Sequence, residues 1–289
     1  MTVTDKVALL RAEMQKNNID AFIVFSADPH MSEYLPKEWQ ERKWISGFTG
    51  SAGFAVFTKD QAGVWTDGRY FVQAAAELDG SGIQLMKEGQ EGTPNYIDWI
   101  ISQTPKGGKG AVNALATSNA NWELISSKLK EAGIELVDLP LLKNIWTERG
   151  TPSKNEVFVH PVERAGKSVA NKLTDIRAKM KELGSTAHVI ASLDDVAWTL
   201  NLRGSDVESN PVFLGYIYIT DNQAVLFVDQ DKLTEESVQQ LATSGVDVQD
   251  YDAFYSYLQS VNGQKVLVSA NTNQAIFEAL KTQNTFVVA

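Results

Sequence analysis

The chain lacks several features that would define its class at once. Its 289 residues include no cysteine, which excludes a disulfide framework, a thiolate nucleophile and a thiolate zinc site. There is no Asn-x-Ser/Thr glycosylation acceptor, and the apolar runs are too short to span a bilayer. The first residues lack the basic and apolar regions of a signal peptide. These absences are typical of a cytoplasmic protein, and we expect that location.

Basic side chains are scarce relative to acidic ones. The chain has 26 Lys and Arg residues against 36 Asp and Glu residues, which gives a formal net charge of -10. Binding to nucleic acid depends on clustered Lys and Arg side chains, and a membrane-surface helix needs a basic face. Neither pattern is found, so we expect no nucleic-acid partner and no membrane partner.

Two stretches of the chain resemble each other. A helical pattern over Lys6–Lys16 leads into an apolar strand pattern over Ile19–Phe25, and a similar helix leads into Ala187–Ala191. These stretches align without a gap and share the pairs Arg11/Arg177, Ala12/Ala178, Met14/Met180, Ala21/Ala187, Ser26/Ser192 and Asp28/Asp194. A second ungapped block shares the pairs Thr58/Thr220, Gln61/Gln223, Ala62/Ala224 and Asp67/Asp229. Because the repeat is domain-sized, we predict two homologous domains rather than a solenoid.

The order of elements in each repeat predicts the fold. Each reads as a helix, a strand, a turn-rich stretch, one or two strands, a helix, a polar turn, and a closing strand and helix. We therefore predict an α/β fold with a mixed sheet flanked by helices. The seam lies in 148–153, so the expected domains are 1–150 and 151–289. A polar helix is predicted over Pro161–Lys181, and Thr285–Val288 is the last predicted strand.

Asp28–Glu33 places two carboxylates around His30, a spacing that could hold a divalent ion. The chain has only three histidines and no HExxH pair, so the set of possible ligands is small. We favour turn and capping roles for Asp28 and Glu33, and we expect no metal site in this chain.

Two glycine-rich stretches could suggest catalysis or phosphate binding. Ser51 lies in Gly47–Gly53, but a GxSxG elbow is absent and no partner base can be inferred, so a close-packed strand entry is favoured. Lys106–Gly110 lacks both the P-loop ending and the GxGxxG pattern, and it reads as a solvated turn before the strand at Val112.

The remaining polar candidates also have ordinary structural interpretations. The carboxylate pairs Asp194/Asp195 and Asp206/Glu208 could act as acid and base, but surface or capping carboxylates are far commoner. His188 lies inside an apolar strand and is interpreted as a core histidine. His160 precedes a proline and is interpreted as marking a helix start.

Trp65–Phe71 is different, because it places Asp67, Gly68 and Arg69 at the end of an apolar strand, where ligands of α/β sheets gather. In the second repeat Asp231 stands in the place of Arg69, so this arginine is not a requirement of the shared fold. Its fork of donors suits carbonyls and carboxylates. The alternative is a surface salt bridge to Asp67.

Beyond these patterns, several motifs resemble eukaryotic-type aminopeptidase P, the Xaa-Pro aminopeptidases. The resemblance extends over both domains and is carried by Asp28–Tyr34, Trp44–Gly53, Trp65–Phe71, Lys143–Trp146, His160–Pro161, Ala165–Ser168, Leu193–Trp198 and Asn201–Phe213. It implies two creatinase-type N-terminal domains. Arg69 matches the family arginine that reaches toward bound peptide, and Gly68 stands where serine is commonly seen.

The resemblance also implies what the chain does not contain. The family's C-terminal pita-bread domain supplies the ligands of two divalent metal ions, usually manganese, and none of those ligands can be assigned to this sequence. We therefore expect a truncated fragment that is inactive alone, belongs to a hydrolase of peptides with proline at the second position, and forms homodimers when full length. Alternatives from the residues are a stand-alone peptide-binding or subunit-interaction module, and a purely structural α/β pair.

Overall fold

The computed structural model describes residues 1–289 and contains two compact units. The first consists of Met1–Asp28 with Lys37–Gly150, and the second of Pro29–Pro36 with Thr151–Ala289. Each unit contains a six-stranded mixed sheet with helices packed against it, which confirms the predicted fold class. None of the helices combines the length and the apolar composition that crossing a bilayer requires.

The first unit contains six helices and six strands. The helices are α1 (Val3–Lys16), α2 (Glu41–Ser46), α3 (Phe71–Glu77), α4 (Tyr96–Gln103), α5 (Asn119–Glu131) and α6 (Leu142–Ile145). The strands are β1 (Ala21–Val24), β2 (Phe54–Thr58), β3 (Ala62–Thr66), β4 (Gln84–Lys87), β5 (Lys109–Val112) and β6 (Glu135–Asp138).

The second unit repeats the order from α1 to β6 and adds a short helix and a small pair of strands. Its helices are α7 (Val162–Ala165), α8 (Val169–Glu182), α9 (Leu193–Leu200), α10 (Glu235–Thr243), α11 (Phe254–Ser260) and α12 (Gln274–Leu280). Its strands are β7 (Phe158–Val159), β8 (Ala187–Ile190), β9 (Leu202–Arg203), β10 (Gly215–Thr220), β11 (Ala224–Val228), β12 (Asp247–Gln249), β13 (Lys265–Val268) and β14 (Thr285–Val288).

The two large sheets have the same strand order and the same strand directions. The first is β4-β3-β2-β1-β5-β6 and the second is β12-β11-β10-β8-β13-β14. In each sheet three neighbouring strands in the middle pair antiparallel, and the outer strands on both sides pair in parallel. The shared topology confirms that the chain contains two homologous domains.

Three of the identical pairs, Arg11/Arg177, Thr58/Thr220 and Gln61/Gln223, hold equivalent turns in the two units. Arg11 donates from Nε to the carbonyl oxygen of Thr58 at 3.2 Å, and Arg177 donates in the same way to Thr220 at 2.9 Å. The Thr58 turn is closed by a backbone bond of 2.8 Å to Gln61, which the second unit repeats. These three identities therefore fix a contact between a helix and a hairpin turn in each unit.

Each sheet is covered by apolar side chains on both faces. In β1, Phe22 and Val24 belong to one buried cluster, and Ala21 and Ile23 belong to the cluster on the opposite face. A strand that is buried on both faces needs a continuous apolar run rather than an alternating one, because side chains alternate between the two faces. That requirement explains the apolar run that the sequence shows there.

The single helix predicted over Pro161–Lys181 is wrong, because two helices occupy this stretch. Helix α7 ends at Gly166, whose φ of 76° is left-handed and stops the helix. Ser168 then caps α8 by accepting the backbone N–H of Asn171 on its side-chain oxygen at 3.3 Å. Gly166 and Ser168 are both local signals of a helix boundary. The prediction missed them because the polar pattern continues across the boundary.

The segment Pro29–Pro36 belongs to the second unit, although the residues on both sides of it in sequence belong to the first. Asn273 donates its side-chain amide to the carbonyl oxygen of Pro29 at 2.5 Å. The ring of His30 stacks on Tyr216 with 4.3 Å between ring centroids. Placing a segment from the first half of the chain among these residues requires tertiary contacts that no local pattern encodes.

Candidate functional site

Arg69 lies in the turn that joins β3 to α3, at the carboxyl end of a buried strand. The turn is closed by Asp67, whose carboxylate accepts the backbone N–H of Arg69 at 2.9 Å. The second unit has the same turn, where Asp229 accepts the backbone N–H of Asp231 at 3.3 Å. The turn therefore belongs to the shared fold, whereas the guanidinium group is specific to the first unit.

The Arg69 side chain forms a two-point ion pair with Asp67. Nε donates to Oδ1 at 2.9 Å and Nη2 donates to Oδ2 at 2.8 Å. These hydrogen bonds hold the pKa of the Asp67 carboxyl at about 2, and they raise the pKa of Arg69. With 69% of the Arg69 side chain exposed, the remaining guanidinium donors point to where a ligand can reach them. The salt bridge considered as the alternative is thus present, and it orients the arginine.

Tyr70 joins this turn to the glycine-rich loop Gly47–Gly53. Its hydroxyl lies 2.6 Å from the side-chain oxygen of Ser51, and its ring centroid lies 5.2 Å from the guanidinium carbon of Arg69. Ser51 is therefore hydrogen-bonded to a phenol, and no imidazole partner is found for it. The arrangement does not form a serine nucleophile with a base.

Arg42 holds the other side of the same loop and is 5% exposed. Its Nη1 donates to the carbonyl oxygen of Phe48 at 3.1 Å, and its Nη2 donates to that of Gly50. Its Nε donates to Ser26, which donates in turn to the carbonyl oxygen of Gly53 at 2.8 Å. Burial lowers the pKa of Arg42 to about 10, so it remains charged at neutral pH.

Arg42 is the positioning residue that sequence reasoning missed. It lies on the short helix α2, where a basic residue ordinarily faces solvent, and its acceptors are backbone carbonyls that any residue could provide. The only available signal is the glycine-rich loop after this helix, since closely packed loops need donors for their carbonyl oxygens.

A carboxylate lies at the rim of this loop. Glu77 accepts the backbone N–H of Thr49 at 2.8 Å and its side-chain hydroxyl at 2.6 Å, and Gln73 bonds to both residues. Desolvation raises the pKa of Glu77, but these hydrogen bonds together outweigh it, so the pKa of Glu77 is lowered. The site thus offers a fixed cation and hydroxyl groups on an ordered loop, which suits holding a carbonyl or carboxylate rather than transferring protons.

The cluster around His30 uses its imidazole for packing. A carbonyl oxygen only accepts, so the ring nitrogen Nδ1 carries the proton and donates to Ala191 at 2.8 Å. Nε2 then accepts from the hydroxyl of Tyr251 at 2.8 Å. No group of three or more His, Cys, Asp or Glu side chains is placed to hold a metal ion. The residues of this chain therefore do not fit a metal pair.

The other carboxylates considered as acid or base candidates make structural contacts. Asp206 accepts the backbone N–H of Leu214 at 2.7 Å and forms a buried ion pair with Lys232. Asp194 and Asp195 lie in the first turn of α9. Negative charge at a helix N-terminus interacts favourably with the helix dipole.

The loop before β5 forms a turn, and the two remaining histidines make hydrogen bonds to the backbone. Gly107 takes a left-handed φ of 86° in the turn that precedes Lys109, the first residue of β5. His188 donates from Nδ1 to the carbonyl oxygen of Leu267 at 2.8 Å, and burial lowers its pKa. His160 directly precedes Pro161, the N-cap of α7. Its backbone N–H donates to the carbonyl oxygen of Asn201 at 2.8 Å.

Known proteins resemble this chain in both sequence and fold. Residues 6–144 and residues 148–289 each match the creatinase/prolidase N-terminal domain family. Aminopeptidase P2 of Arabidopsis thaliana is 39% identical over 271 residues, which cover 91% of this chain and 38% of that protein. Xaa-Pro aminopeptidase 1 of Dictyostelium discoideum is 34% identical and covers 98% of this chain and 47% of that protein.

A solved structure extends the comparison. The X-prolyl aminopeptidase of Caenorhabditis elegans, described as a cytosolic enzyme with a di-nuclear active site, is 30% identical with a TM-score of 0.94. The match covers 100% of this chain and 50% of the Caenorhabditis elegans protein. This chain therefore spans half or less of the length of each protein compared. The resemblance to aminopeptidase P is confirmed, and the chain belongs to the creatinase/prolidase N-terminal domain family, whose domain it carries twice in tandem.

Proposed function

We propose that the chain is the N-terminal portion of a longer Xaa-Pro aminopeptidase, which removes the residue ahead of a penultimate proline. The observation that carries this proposal is similarity along nearly the whole chain to proteins named aminopeptidase P2, Xaa-Pro aminopeptidase 1 and X-prolyl aminopeptidase, each about twice as long or longer. The proposal includes a cytoplasmic location, peptides with proline at the second position as substrates, and a homodimeric longer protein.

The metal dependence of the reaction belongs to this proposal as well. A pair of divalent ions, with manganese as the expected metal, supplies carbonyl polarisation and an activated water in two-metal hydrolases. Because no residues here fit such a pair, the ions would be bound outside residues 1–289. We therefore assign no hydrolytic step and no catalytic residue to this chain.

The role we propose for this chain in the reaction is substrate binding by Arg69. Its guanidinium is oriented by Asp67 and leaves donors free for a peptide carbonyl or carboxylate. The Tyr70–Ser51 bond and Arg42 order the adjoining loop, so little side-chain freedom remains to be lost when a peptide binds.

The test measures hydrolysis of an Xaa-Pro peptide, with added manganese, by this chain and by the longer product of its gene. We expect activity only in the longer protein, and cleavage by this chain alone would overturn the proposal. Inactivity of both proteins would favour the stand-alone binding module.

Arg69 is tested separately in the longer protein. Arg69→Ala should raise KM at least several-fold, whereas Arg164→Ala, which removes another exposed arginine, should leave KM unchanged. An unchanged KM in Arg69→Ala would remove this residue from the substrate site but leave the enzyme assignment intact.

A further inference from the structure

The two units differ beyond their last strand. After β6, Leu139 donates its backbone N–H to Val112 at 2.8 Å, and the chain turns into α6, which packs against α1. After β14, Ala289 makes the equivalent bond to Val268 at 3.2 Å. The last strand of each sheet thus ends in an equivalent backbone bond, and in the first unit α6 follows that bond.

In the first unit this covering segment completes the core. Leu141 and Leu142 are each 1% exposed, and they belong to the same buried cluster as Leu10, Phe22 and Ala111. Ile145 packs at the edge of that cluster. The segment therefore closes the face formed by α1, β1 and β5.

A tryptophan on the neighbouring helix completes the contact. Lys6 donates from Nζ to the carbonyl oxygen of Trp44 at 2.8 Å, and the same Nζ lies 4.9 Å from the centroid of the Trp44 ring. The Trp44 ring stacks on Trp146, just after α6, with 5.3 Å between centroids and 15° between planes.

The second unit repeats the lysine and the tryptophan, and the equivalent of Trp146 would lie after Ala289 in the chain. Lys172 donates from Nζ to the carbonyl oxygen of Trp198 at 2.7 Å and lies 4.1 Å from its ring centroid. Lys172 is the repeat equivalent of Lys6. Trp44 and Trp198 are also equivalent, since each lies three residues before a left-handed C-cap, Gly47 and Asn201. Trp198 is 50% exposed.

The other positions that α6 would cover are less deeply buried than their equivalents in the first unit: Leu10, Phe22 and Ala111 are at most 1% exposed, whereas Ile176 and His188 are partly buried and Leu267 is 8% exposed. Ile176, His188 and Leu267 are the equivalents of Leu10, Phe22 and Ala111, since His188 lies opposite Leu267 as Phe22 lies opposite Ala111. A pocket of about 470 Å³ is lined by Ile176, His188 and Trp198, among others. Val287 and its equivalent Val137 are both partly buried at the edge of this face.

We propose that this open face, formed by Ile176, His188, Trp198, Leu267 and Val287, is the docking surface for the polypeptide that continues after β14 in the longer protein. That source rests on the proposed function. The occupant would be a short helical segment with two adjacent aliphatic residues and, about four residues later, an aromatic residue that stacks on Trp198. The repeated Leu139/Ala289 exit directs the next segment onto this face, which favours it over a second copy or a small ligand.

His188 adds a polar requirement to that segment. Its Nδ1 proton is donated to Leu267, so Nε2 carries a lone pair, and it stands where the first unit has the apolar Phe22. An occupant of this face would satisfy Nε2 with a donor, such as a hydroxyl or amide group, beside its aliphatic residues.

The proposal is tested by adding a copy of the segment Pro140–Trp146 directly after Ala289, which already stands in the place of Leu139. We expect the folding equilibrium constant of the second unit to rise at least about tenfold, because one buried leucine contributes that much or more. The Trp198 indole N–H resonance should shift with it. A matched extension with serine in place of Leu141, Leu142, Ile145 and Trp146 should produce neither effect.

Trp198→Ala distinguishes docking from a non-specific effect of added chain. It should remove most of the gain in the extended protein but change the unextended chain little. Equal unfolding midpoints for the two extensions would overturn the proposal, and so would a gain that depends on protein concentration, which would indicate a second copy.

The natural segment is tested in the longer gene product by acrylamide quenching of Trp198 fluorescence in a variant whose other tryptophans are replaced by phenylalanine. We expect quenching at least several-fold weaker than in this chain. A fully accessible Trp198 would overturn the docking proposal even if the longer protein hydrolyses peptides, so its failure is distinct from failure of the proposed function.

Discussion

Arg42 is a buried cation whose partners are mainly backbone carbonyl oxygens, so its removal tests how the glycine-rich loop is held. Arg42→Met should lower the free energy of unfolding by about 2–4 kcal/mol, because it leaves buried acceptors without donors. Lys43→Met, on the exposed side of the same helix, should change it by less than about 0.5 kcal/mol. Denaturant unfolding monitored by circular dichroism measures both, and equal effects would contradict the role of Arg42.

The Asp67–Arg69 pair predicts a titration that is visible at low pH. The pKa of Asp67 in the folded protein is about 2, below its ordinary value of ~3.9, so the pair stabilises the folded state above pH ~4. That contribution is lost as the pH falls through about 2. In Arg69→Ala the pKa of Asp67 should rise toward its ordinary value, because the side-chain bonds are lost while the bond from the backbone N–H of residue 69 remains, as measured by NMR of the side-chain carboxyl carbon. Arg164→Ala should leave the Asp67 titration unchanged, and a midpoint near 2 in Arg69→Ala would exclude the proposed cause.

At the scale of elements, the break between α7 and α8 depends on a left-handed glycine. Gly166→Ala should lower the free energy of unfolding by about 1–2 kcal/mol, since a side chain at φ 76° is strained even though no atom crowds it. Gly68→Ala serves as the control, because an added Cβ there meets only Phe71, at 3.8 Å, and the φ is not left-handed. Thermal unfolding of both variants gives the comparison, and a neutral Gly166→Ala would show that the helix break does not need glycine.

At the scale of the whole molecule, each unit has its own buried clusters and should lose hydrogen-exchange protection as a unit. Leu10→Ala should cost about 2–5 kcal/mol and weaken amide protection in the first unit. Leu173→Ala, at the equivalent face of α8, should do so in the second unit and in residues 29–36. Native-state exchange read by mass spectrometry measures this pattern. Protection in residues 29–36 that responds to Leu10→Ala instead would place that segment with the first unit.

Much of the fold could be predicted because its signals lie within short windows. The duplication, the mixed sheet and the final strand Thr285–Val288 can all be inferred from apolar periodicity and from identities between the repeats. The turn at Asp67 and Arg69 was also predictable, since a charged pair after a buried strand marks a strand end. These features depend on neighbours along the chain, and the sequence displays such neighbours directly.

The tertiary structure alone decided the partners of the buried polar groups. His30 bonds to Ala191 across 161 residues, and Lys232 pairs with Asp206 across 26. A buried polar group must find a partner wherever the fold brings one, because leaving it unpaired is costly. The sequence by itself determined two homologous domains and the place of Arg69 at the end of a strand. Which side chains are buried together depends on contacts between residues distant in the chain.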